Sequence, residues 1–402
     1  MKITLCSDFL TAPLTGVGRY AFELAQRLAT DSRIESFDLV SFRGVEHWAE
    51  LESRLRDAAD RPSDESRTAF NMGALRGLAQ RVAERAVNHP VGSWLFESLQ
   101  QKHYVKTLVR GQTELIHAPG IQRIPEFENA VAARVASVVT VHDLSHRISP
   151  EWHPAQRVAR IERAMKMVCR ADKIIAVSQA TAAALTEFYP ATRDRIVVIP
   201  NGVNVATPEK KNEGRSEAAP MPGHTLCVST IEPRKNIDSL LAAYASLPAA
   251  VRRAFPLVLI GAAGWHSRDT HQLIERYAAE GWLDYRGYVD AEMLATCYAN
   301  AKLVVYPSLH EGFGLPVLEA LAYGCDVIAG NHSSIPEVAG GHARLLDDVC
   351  DIDEMREAIL GALGAPTNAA AAAERRAFAA FFSWDRSAEQ TVKTYAVVIA
   401  GV

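Results

Sequence analysis

The stretch Leu303–Tyr323, LVVYPSLHEGFGLPVLEALAY, decides the fold of the second half of the chain. An apolar run over Leu303–Tyr306 is followed by a loop that contains Gly312 and Gly314, and then by a helical run with Pro316 in its first turn. A buried strand, a glycine-containing loop and a helix form the repeating unit of a parallel sheet. The free amides at the start of such a helix form a binding site for anions.

Similar apolar runs, rich in β-branched residues, occur on both sides of this stretch and alternate with helical segments. They are Ile3–Leu5, Phe37–Phe42, Leu115–His117, Val138–His142, Lys173–Val177, Ile196–Ile199, Thr225–Ser229, Leu257–Ile260, Leu303–Tyr306 and Asp326–Ala329. Continuous apolar strands that alternate with helices are typical of parallel sheets covered on both faces. The sequence therefore predicts an α/β fold.

A break in composition divides the chain into two parts. Residues 207–223, TPEKKNEGRSEAAPMPG, are rich in Lys, Glu, Pro and Gly and offer little to bury, so we expect a linker there. The flanking segments, 1–206 and 224–382, each have the size of one Rossmann-like domain. We expect two such domains.

The composition excludes several classes of protein. The 402 residues carry a formal net charge of −4, which gives no general attraction to nucleic acid. The six cysteines are scattered without a CxxC pair, which favours a reducing compartment over a disulfide framework or a zinc site. Asp8 interrupts the first apolar run too early for a secretory signal, and no run of about 18 apolar residues is present. We expect a cytoplasmic protein, with attachment to the membrane surface left open.

The segment His310–Glu319, HEGFGLPVLE, is the strongest candidate site. Its glycines let the backbone approach a ligand, and Glu319 falls in the expected first turn of the helix, where a carboxylate can accept hydrogen bonds from two sugar hydroxyls. The alternative is an ordinary loop–helix junction with a glutamate at the favourable end of the helix dipole. The combination with a second carboxylate, Glu311, favours a binding site.

A second candidate is Thr230–Ile237, TIEPRKNI, which follows a predicted strand and opens a predicted helix. Arg234 and Lys235 lie where the helix dipole disfavours cations, so an anionic ligand that shares the site would explain them. The alternative is a pair of solvated loop charges.

Together these segments resemble the family 4 retaining glycosyltransferases of GT-B fold. Glu311 and Glu319, separated by seven residues, match the family's E-x7-E signature. The other matching segments are TGVGRY (Thr15–Tyr20), VHDL (Val141–Leu144), VSQAT (Val177–Thr181), IPNGVN (Ile199–Asn204), EPRKN (Glu232–Asn236), GYV (Gly287–Val289), SSIPEVAGG (Ser333–Gly341) and FSW (Phe382–Trp384). The resemblance covers nearly the whole chain except about residues 45–110.

The resemblance implies a role for individual residues of the second domain. Arg234 and Lys235 would hold the donor diphosphate, Glu319 the ribose hydroxyls, and Glu311 would lie beside the transferred sugar. The backbone amides that would contact the donor, three for sugar hydroxyls and the last for phosphate, are those of Gly312, Phe313, Gly314 and Leu315.

In the first domain the resemblance points to His142 and to two glycines. His142 ends a predicted buried strand, where ligands of open α/β sheets collect, and the family places a histidine there near the donor sugar; the alternative is a satisfied core histidine. Gly16 and Gly18 would let the backbone approach the donor diphosphate or the acceptor, or they form a tight turn. A dinucleotide fingerprint is not indicated, because no third glycine follows Gly16 and Gly18 at the spacing of that motif, in the region before Phe22 and Glu23.

The resemblance also implies the architecture and the reaction. Two Rossmann-like domains would face each other across a cleft, with residues 383–402 packed back on the first domain. The reaction would be transfer of a sugar with retention at the anomeric carbon. The first choice of donor is GDP-mannose and the second is a UDP-sugar. The acceptor would be a growing, lipid-linked glycan. A nucleotide-sugar epimerase and a non-catalytic sugar-binding partner are the alternatives.

We expect neither a cofactor nor a catalytic metal. Asp351-Ile352-Asp353 has the spacing of a metal-binding DxD motif, but Asp353 is interpreted as a helix N-cap.

Residues 67–110 have a different character from the rest of the chain. They carry a local net charge of +5, interleaved with Leu, Trp and Phe. A basic amphipathic stretch suits contact with the membrane surface. The alternative is a helical excursion packed on its own domain.

Overall fold

The computed structural model describes residues 1–10, 14, 16–41, 44–59, 113–121, 135–205 and 220–401. The N-terminal part forms a seven-stranded sheet of order β3-β2-β1-β4-β5-β6-β7. Its strands are β1 (Lys2–Cys6), β2 (Ser36–Ser41), β3 (Gly44–Glu46), β4 (Leu115–Ala118), β5 (Ala136–Val141), β6 (Lys173–Ala176) and β7 (Ile196–Val198).

One edge of this sheet departs from the expected parallel arrangement. All neighbouring strands are parallel except β3, which pairs antiparallel to β2 through Leu39↔Glu46 and Ser41↔Gly44. The expectation of a purely parallel sheet is wrong here. Only two residues separate β2 from β3, which is too short for a crossover connection but suits a hairpin.

The C-terminal part forms a six-stranded parallel sheet of order β10-β9-β8-β11-β12-β13. Its strands are β8 (Thr225–Val228), β9 (Leu257–Ile260), β10 (Leu283–Gly287), β11 (Leu303–Tyr306), β12 (Asp326–Gly330) and β13 (Arg344–Leu346). The strand order reverses between β8 and β11, and in the first sheet between β1 and β4. Ligands bind at the carboxyl ends of the strands at such switch points.

Helices surround both sheets. Within the first part they are α1 (Val17–Leu28), α2 (Trp48–Ala59), α3 (Ser145–Ile148), α4 (Ala155–Val168) and α5 (Gln179–Phe188). Within the second they are α6 (Ile237–Ala245), α7 (Ala249–Ala254), α8 (Arg268–Ala279), α9 (Ala291–Asn300), α10 (Leu315–Tyr323), α11 (Ile335–Ala339), α12 (Ile352–Gly364), α13 (Ala369–Ala379) and α14 (Trp384–Gly401). The two sheets and their helices confirm the α/β, GT-B fold predicted from the sequence.

The last helix, α14, packs against the first sheet and α1. Trp384 and Tyr395 share a buried apolar cluster with Tyr20 and Leu24 of α1. Arg27 of α1 also bonds Asp385 at 2.5 Å, but this exposed pair contributes little beside the apolar contact.

Two sequence predictions concern residues that the structure does not describe. Residues 207–219 of the predicted linker and the whole basic stretch 67–110 lie outside the described residues. Within the part that is described, no helix has the length and apolar character needed to cross a bilayer. The six cysteines, all described, are free thiols, and four of them are buried.

Candidate active site

Glu311 lies at the centre of a buried cluster at the carboxyl ends of β8 and β11. Its Oε1 accepts hydrogen bonds from Lys235 Nζ at 2.5 Å, from Tyr306 Oη at 2.9 Å and from Ser308 Oγ, and its Oε2 accepts one from Arg234 Nη1 at 3.3 Å. Burial by itself raises the pKa of Glu311, but the charges of Lys235 and Arg234 outweigh it and lower the pKa to about 2. Glu311 is therefore ionised at neutral pH, and both of its carboxylate oxygens accept hydrogen bonds.

Arg234 and Lys235 lie in a short 3₁₀ helix, Pro233–Lys235, that follows β8. The prediction that they open an α-helix is wrong, because Asn236 adopts a left-handed conformation (φ 53°) and α6 begins only at Ile237. Arg234 donates from Nε to Glu232 Oε1 at 2.6 Å and from Nη1 to the carbonyl of His310 at 3.1 Å.

Lys235 is only 7% exposed, so the alternative of solvated loop charges is also wrong. Burial, and next the charge of Arg234, lower the pKa of its ammonium, while Glu311 opposes this. The protein's own carboxylates, and not a ligand alone, supply anions beside Arg234 and Lys235. The two cations are thus held in place before any ligand arrives.

The loop at Gly312 brings this cluster against the N-terminal sheet. A Cβ added at Gly312 would lie 1.6 Å from the carbonyl oxygen of His142, so only glycine permits this approach. Thr181 Oγ1 lies 3.1 Å from the carbonyl oxygen of Gly312 and 3.3 Å from that of His142. The site loop and the end of β5 therefore meet.

The start of α10 is arranged as the sequence analysis expected for an anion site. Gly314 has φ +99° at the N-cap, α10 begins at Leu315, and Pro316 is the second helical residue. Because the N-cap Gly314 has no side chain, it makes no side-chain cap hydrogen bond to the first amides of this helix. The buried Phe313 anchors the loop in the core of the C-terminal domain.

Glu319 lies just beyond the first turn of α10, in which it was expected. Because α10 begins at Leu315, Glu319 is its fifth residue, and the expectation of a first-turn carboxylate is wrong. Its Oε2 accepts a hydrogen bond from Tyr298 Oη at 2.9 Å. Burial raises the pKa of Glu319, and Arg19 and Tyr298 partly offset the rise.

Arg19 is a site residue that the sequence analysis did not single out, although it lies in the quoted segment TGVGRY. It is the third residue of α1, and its charge lowers the pKa of both Glu319 and Tyr288 against the effect of burial. The positive charge of Arg19, in the N-terminal domain, thus acts on a carboxylate of the C-terminal domain. The preceding Gly16 (φ +44°) and Gly18, where a Cβ would lie 2.9 Å from the carbonyl oxygen of Phe9, form the turn into α1.

His142 follows β5 and is oriented from two sides. Its Nε2 lies 2.7 Å from the carbonyl oxygen of Pro119, which can only accept, so the ring proton is on Nε2. The Tyr20 ring forms a T-shaped contact with the imidazole, with 4.8 Å between centroids and an interplanar angle of 79°. Burial lowers the pKa of His142, which keeps the ring neutral and leaves Nδ1 as an acceptor.

Asp143 is the second residue that sequence reasoning left without a role. Its Oδ1 accepts from the amide and hydroxyl of Ser145 at 3.1 and 2.8 Å. Burial raises the pKa of Asp143, but Arg234 and Ser145 hold it well below its usual range. Asp143 therefore adds a third carboxylate to the surroundings of Arg234, from the opposite domain.

The predicted N-cap of α12 is displaced by two residues. Asp351, not Asp353, is the cap, and its Oδ1 accepts from the amides of Asp353 and Glu354 at 2.9 and 3.0 Å. The carboxylate of the first Asp of the DxD spacing is thereby used for capping.

Comparison with known proteins agrees with this geometry. Residues 14–207 match the family described as Glycosyltransferase Family 4, and residues 209–377 match Glycosyl transferases group 1. The chain is 33% identical to O-antigen chain mannosyltransferase B of Escherichia coli over 407 residues, which covers 98% of this chain and 99% of that protein. It is 32% identical to the serotype-specific mannosyltransferase WbdA of Escherichia coli over 240 residues, 56% of this chain and 29% of WbdA.

The fold is also shared with a solved structure of low sequence identity. HepE of Anabaena, in complex with UDP and glucose, superposes with a TM-score of 0.66 at 20% identity and covers 98% of this chain and 99% of its own. Together with the full-length relative, these matches show that the chain belongs to the family 4 glycosyltransferases of GT-B fold and is a glycosyltransferase similar to bacterial mannosyltransferases of O-antigen assembly.

Proposed function

We propose that this glycosyltransferase moves mannose from GDP-mannose onto a growing glycan with retention at the anomeric carbon. The observation that carries the proposal is the cluster of Arg234, Lys235 and Glu311 beside the start of α10 and next to His142. A departing nucleoside diphosphate develops negative charge, and two fixed cations with a helix N-terminus stabilise such a leaving group.

The choice of mannose rests on the relatives named as mannosyltransferases. A UDP-sugar is the second candidate, because HepE, of the same fold, is described with UDP and glucose. We propose that Glu319 holds the ribose, since its side chain is partly exposed and its Oε2 is held in place by Tyr298.

The state of Glu311 favours a mechanism without a covalent enzyme intermediate. A carboxylate whose pKa is about 2, and whose oxygens accept from four donors, is a weak nucleophile. In the proposed reaction the acceptor oxygen bonds to the anomeric carbon on the face that the diphosphate leaves. The bond from carbon to the diphosphate oxygen breaks, and that oxygen takes the acceptor's proton.

The roles of the first domain follow from the same placement. The neutral His142 presents Nδ1 as an acceptor for a hydroxyl of the donor sugar. Gly312 brings its loop against the backbone of His142, and Gly16 lies at the turn into α1. Transfer in this scheme requires neither a metal nor a cofactor.

A panel of nucleotide sugars tests the proposal. GDP-mannose, GDP-glucose, UDP-glucose and UDP-galactose are titrated by calorimetry and incubated without an acceptor, with the Glu319→Ala variant as a control. We expect GDP and GDP-mannose to bind at least tenfold more tightly than the UDP compounds, with slow release of mannose.

Each other result points to a different function. Preference for UDP-sugars overturns the choice of donor. Conversion of a donor into an isomeric nucleotide sugar identifies an epimerase, and binding without turnover in the presence of glycan acceptors identifies a sugar-binding partner.

We further propose that the acceptor is lipid-linked and that the enzyme works at the cytoplasmic face of the membrane through residues 67–110. Their local charge of +5 and interleaved aromatic residues support this, since each Lys or Arg near an anionic surface contributes about 1 kcal/mol. Co-sedimentation with anionic vesicles should weaken with salt and with the triple change of Arg76, Arg81 and Arg85 to Ser. Equal binding by that variant contradicts the proposal.

A further inference from the structure

We propose that the C-terminal helix α14 positions His142 through Tyr20, which makes Tyr20 a positioning residue for transfer. The inference rests on the proposed role of His142 at the donor sugar. It concerns a buried chain of side chains that runs from α14 to that imidazole.

Two ring contacts link α14 to His142. The Tyr20 ring forms a T-shaped contact with the imidazole, with 4.8 Å between centroids, and its centroid lies 6.1 Å from that of Trp384, the first residue of α14. Tyr20 is 1% exposed and Trp384 3%, so neither ring has room to move without its neighbour. Edge-to-face contacts of this kind restrict the ring orientation.

A chain of hydrogen bonds connects α14 to Tyr20 a second time. Tyr395 Oη of α14 lies 2.5 Å from His117 Nδ1, and His117 Nε2 lies 2.9 Å from Thr140 Oγ1. Thr140 Oγ1 in turn lies 2.9 Å from Tyr20 Oη. All four side chains are buried, so each polar atom depends on the next for its partner.

The chain has a consistent direction because His117 is neutral. Burial, assisted by His142, lowers the pKa of His117 to about 3. A neutral imidazole donates once and accepts once. Tyr395 can therefore donate to one ring nitrogen while the other donates to Thr140, which leaves the threonine hydroxyl proton for Tyr20.

The remaining surroundings of His142 explain why Tyr20 matters. The Nε2 atom is held by Pro119, and the carbonyl is held by Thr181 and covered by Gly312. These contacts fix the backbone and one ring atom, whereas the packed ring of Tyr20 limits rotation of the imidazole. Loss of the Tyr20 ring would open space beside the imidazole.

The segment that precedes α14 also contacts the other half of the site. The Phe382 ring lies 6.1 Å from that of Phe313 in the site loop, and the Phe382 carbonyl accepts from the amide of Val203 at 3.0 Å. At Gly202 a Cβ would lie 2.1 Å from the backbone nitrogen of Trp384. The crossover Phe382–Trp384 therefore contacts Phe313 on one side and Tyr20 on the other.

The test compares Tyr20→Leu with Tyr244→Leu. Tyr244 is a matched control in the C-terminal domain, because it is fully buried, bonds Thr225 Oγ1 at 3.0 Å and stacks on Trp282 at 5.6 Å. For each variant, turnover of the donor, the Kd of GDP and of UDP, and the imidazole resonances of isotopically labelled histidine are measured. The His142 resonance is assigned from the spectrum of His142→Gln.

We expect Tyr20→Leu to shift or broaden the His142 resonance and to lower kcat at least tenfold, with the nucleotide Kd within twofold of wild type. Tyr395→Phe, which breaks the far end of the chain, should shift the same resonance and lower kcat about threefold. Tyr244→Leu should reduce the melting temperature without either effect.

The proposal is overturned if the His142 resonance is unchanged in Tyr20→Leu, or if Tyr244→Leu perturbs it equally. Failure of the proposed function is recognised separately, as wild-type protein that transfers no sugar from any donor. The resonances still test the coupling in that case.

Discussion

The two half-sites differ in how they are held together. In the C-terminal domain, Arg234 and Lys235 are fixed by Glu311, with hydrogen bonds of 2.5 to 3.3 Å between charged groups. In the N-terminal domain, His142 is fixed by Tyr20 and by neutral hydrogen-bonding groups. The charged half suits a diphosphate, and the neutral half suits a sugar whose hydroxyls need oriented acceptors and donors.

The difference also shows what pre-organisation requires in each half. Buried cations would be costly without anions, so the C-terminal half carries carboxylates that keep Arg234 and Lys235 in place in the free enzyme. A neutral imidazole has no such cost but can rotate, so the N-terminal half relies on packing. The following changes break or sharpen this contrast.

Loss of a cation should have the largest effect. Lys235→Ala and Arg234→Ala should each lower turnover by about 2–4 kcal/mol of transition-state stabilisation. Lys235→Ala should also lower the free energy of unfolding by about 3 kcal/mol, because Glu311 is left buried with fewer partners. Steady-state kinetics and urea unfolding measure both, with the exposed Lys393→Ala as control. Wild-type turnover in both variants contradicts the assignment of the diphosphate.

Removal of the central anion should separate binding from turnover. Glu311→Gln frees Arg234 and Lys235 from their carboxylate, so GDP should bind as tightly as before or more tightly, while turnover falls about a hundredfold, or about 2.7 kcal/mol. Calorimetry and kinetics on the same preparation test this. A tenfold loss of GDP affinity would show that Glu311 contacts the nucleotide.

Mild acid should destabilise the neutral half. The pKa of His117 is about 3 in the folded protein and near 6.5 when unfolded, so the unfolded state binds more protons between these values. Stability is lost as pH falls below 6.5, by about 2 kcal/mol at pH 5 for this histidine. The pKa of Glu311 is depressed instead, so its contribution is lost only as pH falls from about 4.5 toward 2.

The control for this pH dependence is His117→Gln. Between pH 6.5 and 4.5 its free energy of unfolding should fall less steeply with pH than that of wild type. The difference in slope should correspond to the uptake of up to one proton on unfolding. Parallel curves for the two proteins would show that His117 is not the titrating group.

The smallest effect is expected from the acids of α12. Asp351→Ala should cost about 1 kcal/mol of stability through the lost helix cap and leave turnover within twofold of wild type.

Treatment with EDTA should not change turnover. A loss that Mg²⁺ or Mn²⁺ restores would instead implicate a metal.

The sequence was most informative where local patterns decide structure. Apolar runs such as Leu303–Tyr306 were found at their observed bounds, whereas the edge strands β10 and β13 were missed because LDYRG and RLL carry charged residues. The sequence places Glu319 in the first turn, but α10 already begins at Leu315, directly after the N-cap Gly314, so Glu319 is the fifth helical residue.

Contacts between distant parts of the chain could not be predicted from local patterns. Lys235 and Glu311 are 76 residues apart and meet because β8 and β11 are neighbours in the sheet. His117 and Tyr395 are 278 residues apart and meet only when the last helix crosses to the first domain. The partners of the buried cations therefore became visible only in the folded chain.

Titration of GDP into Glu319→Ala and His142→Ala, with turnover measured on the same samples, tests the division between the half-sites most directly. Both variants should lose at least tenfold in turnover. Glu319→Ala should also lose at least tenfold in GDP affinity, about 1.4 kcal/mol, whereas His142→Ala should stay within twofold of wild type. Equal losses of GDP affinity in the two variants would contradict the account.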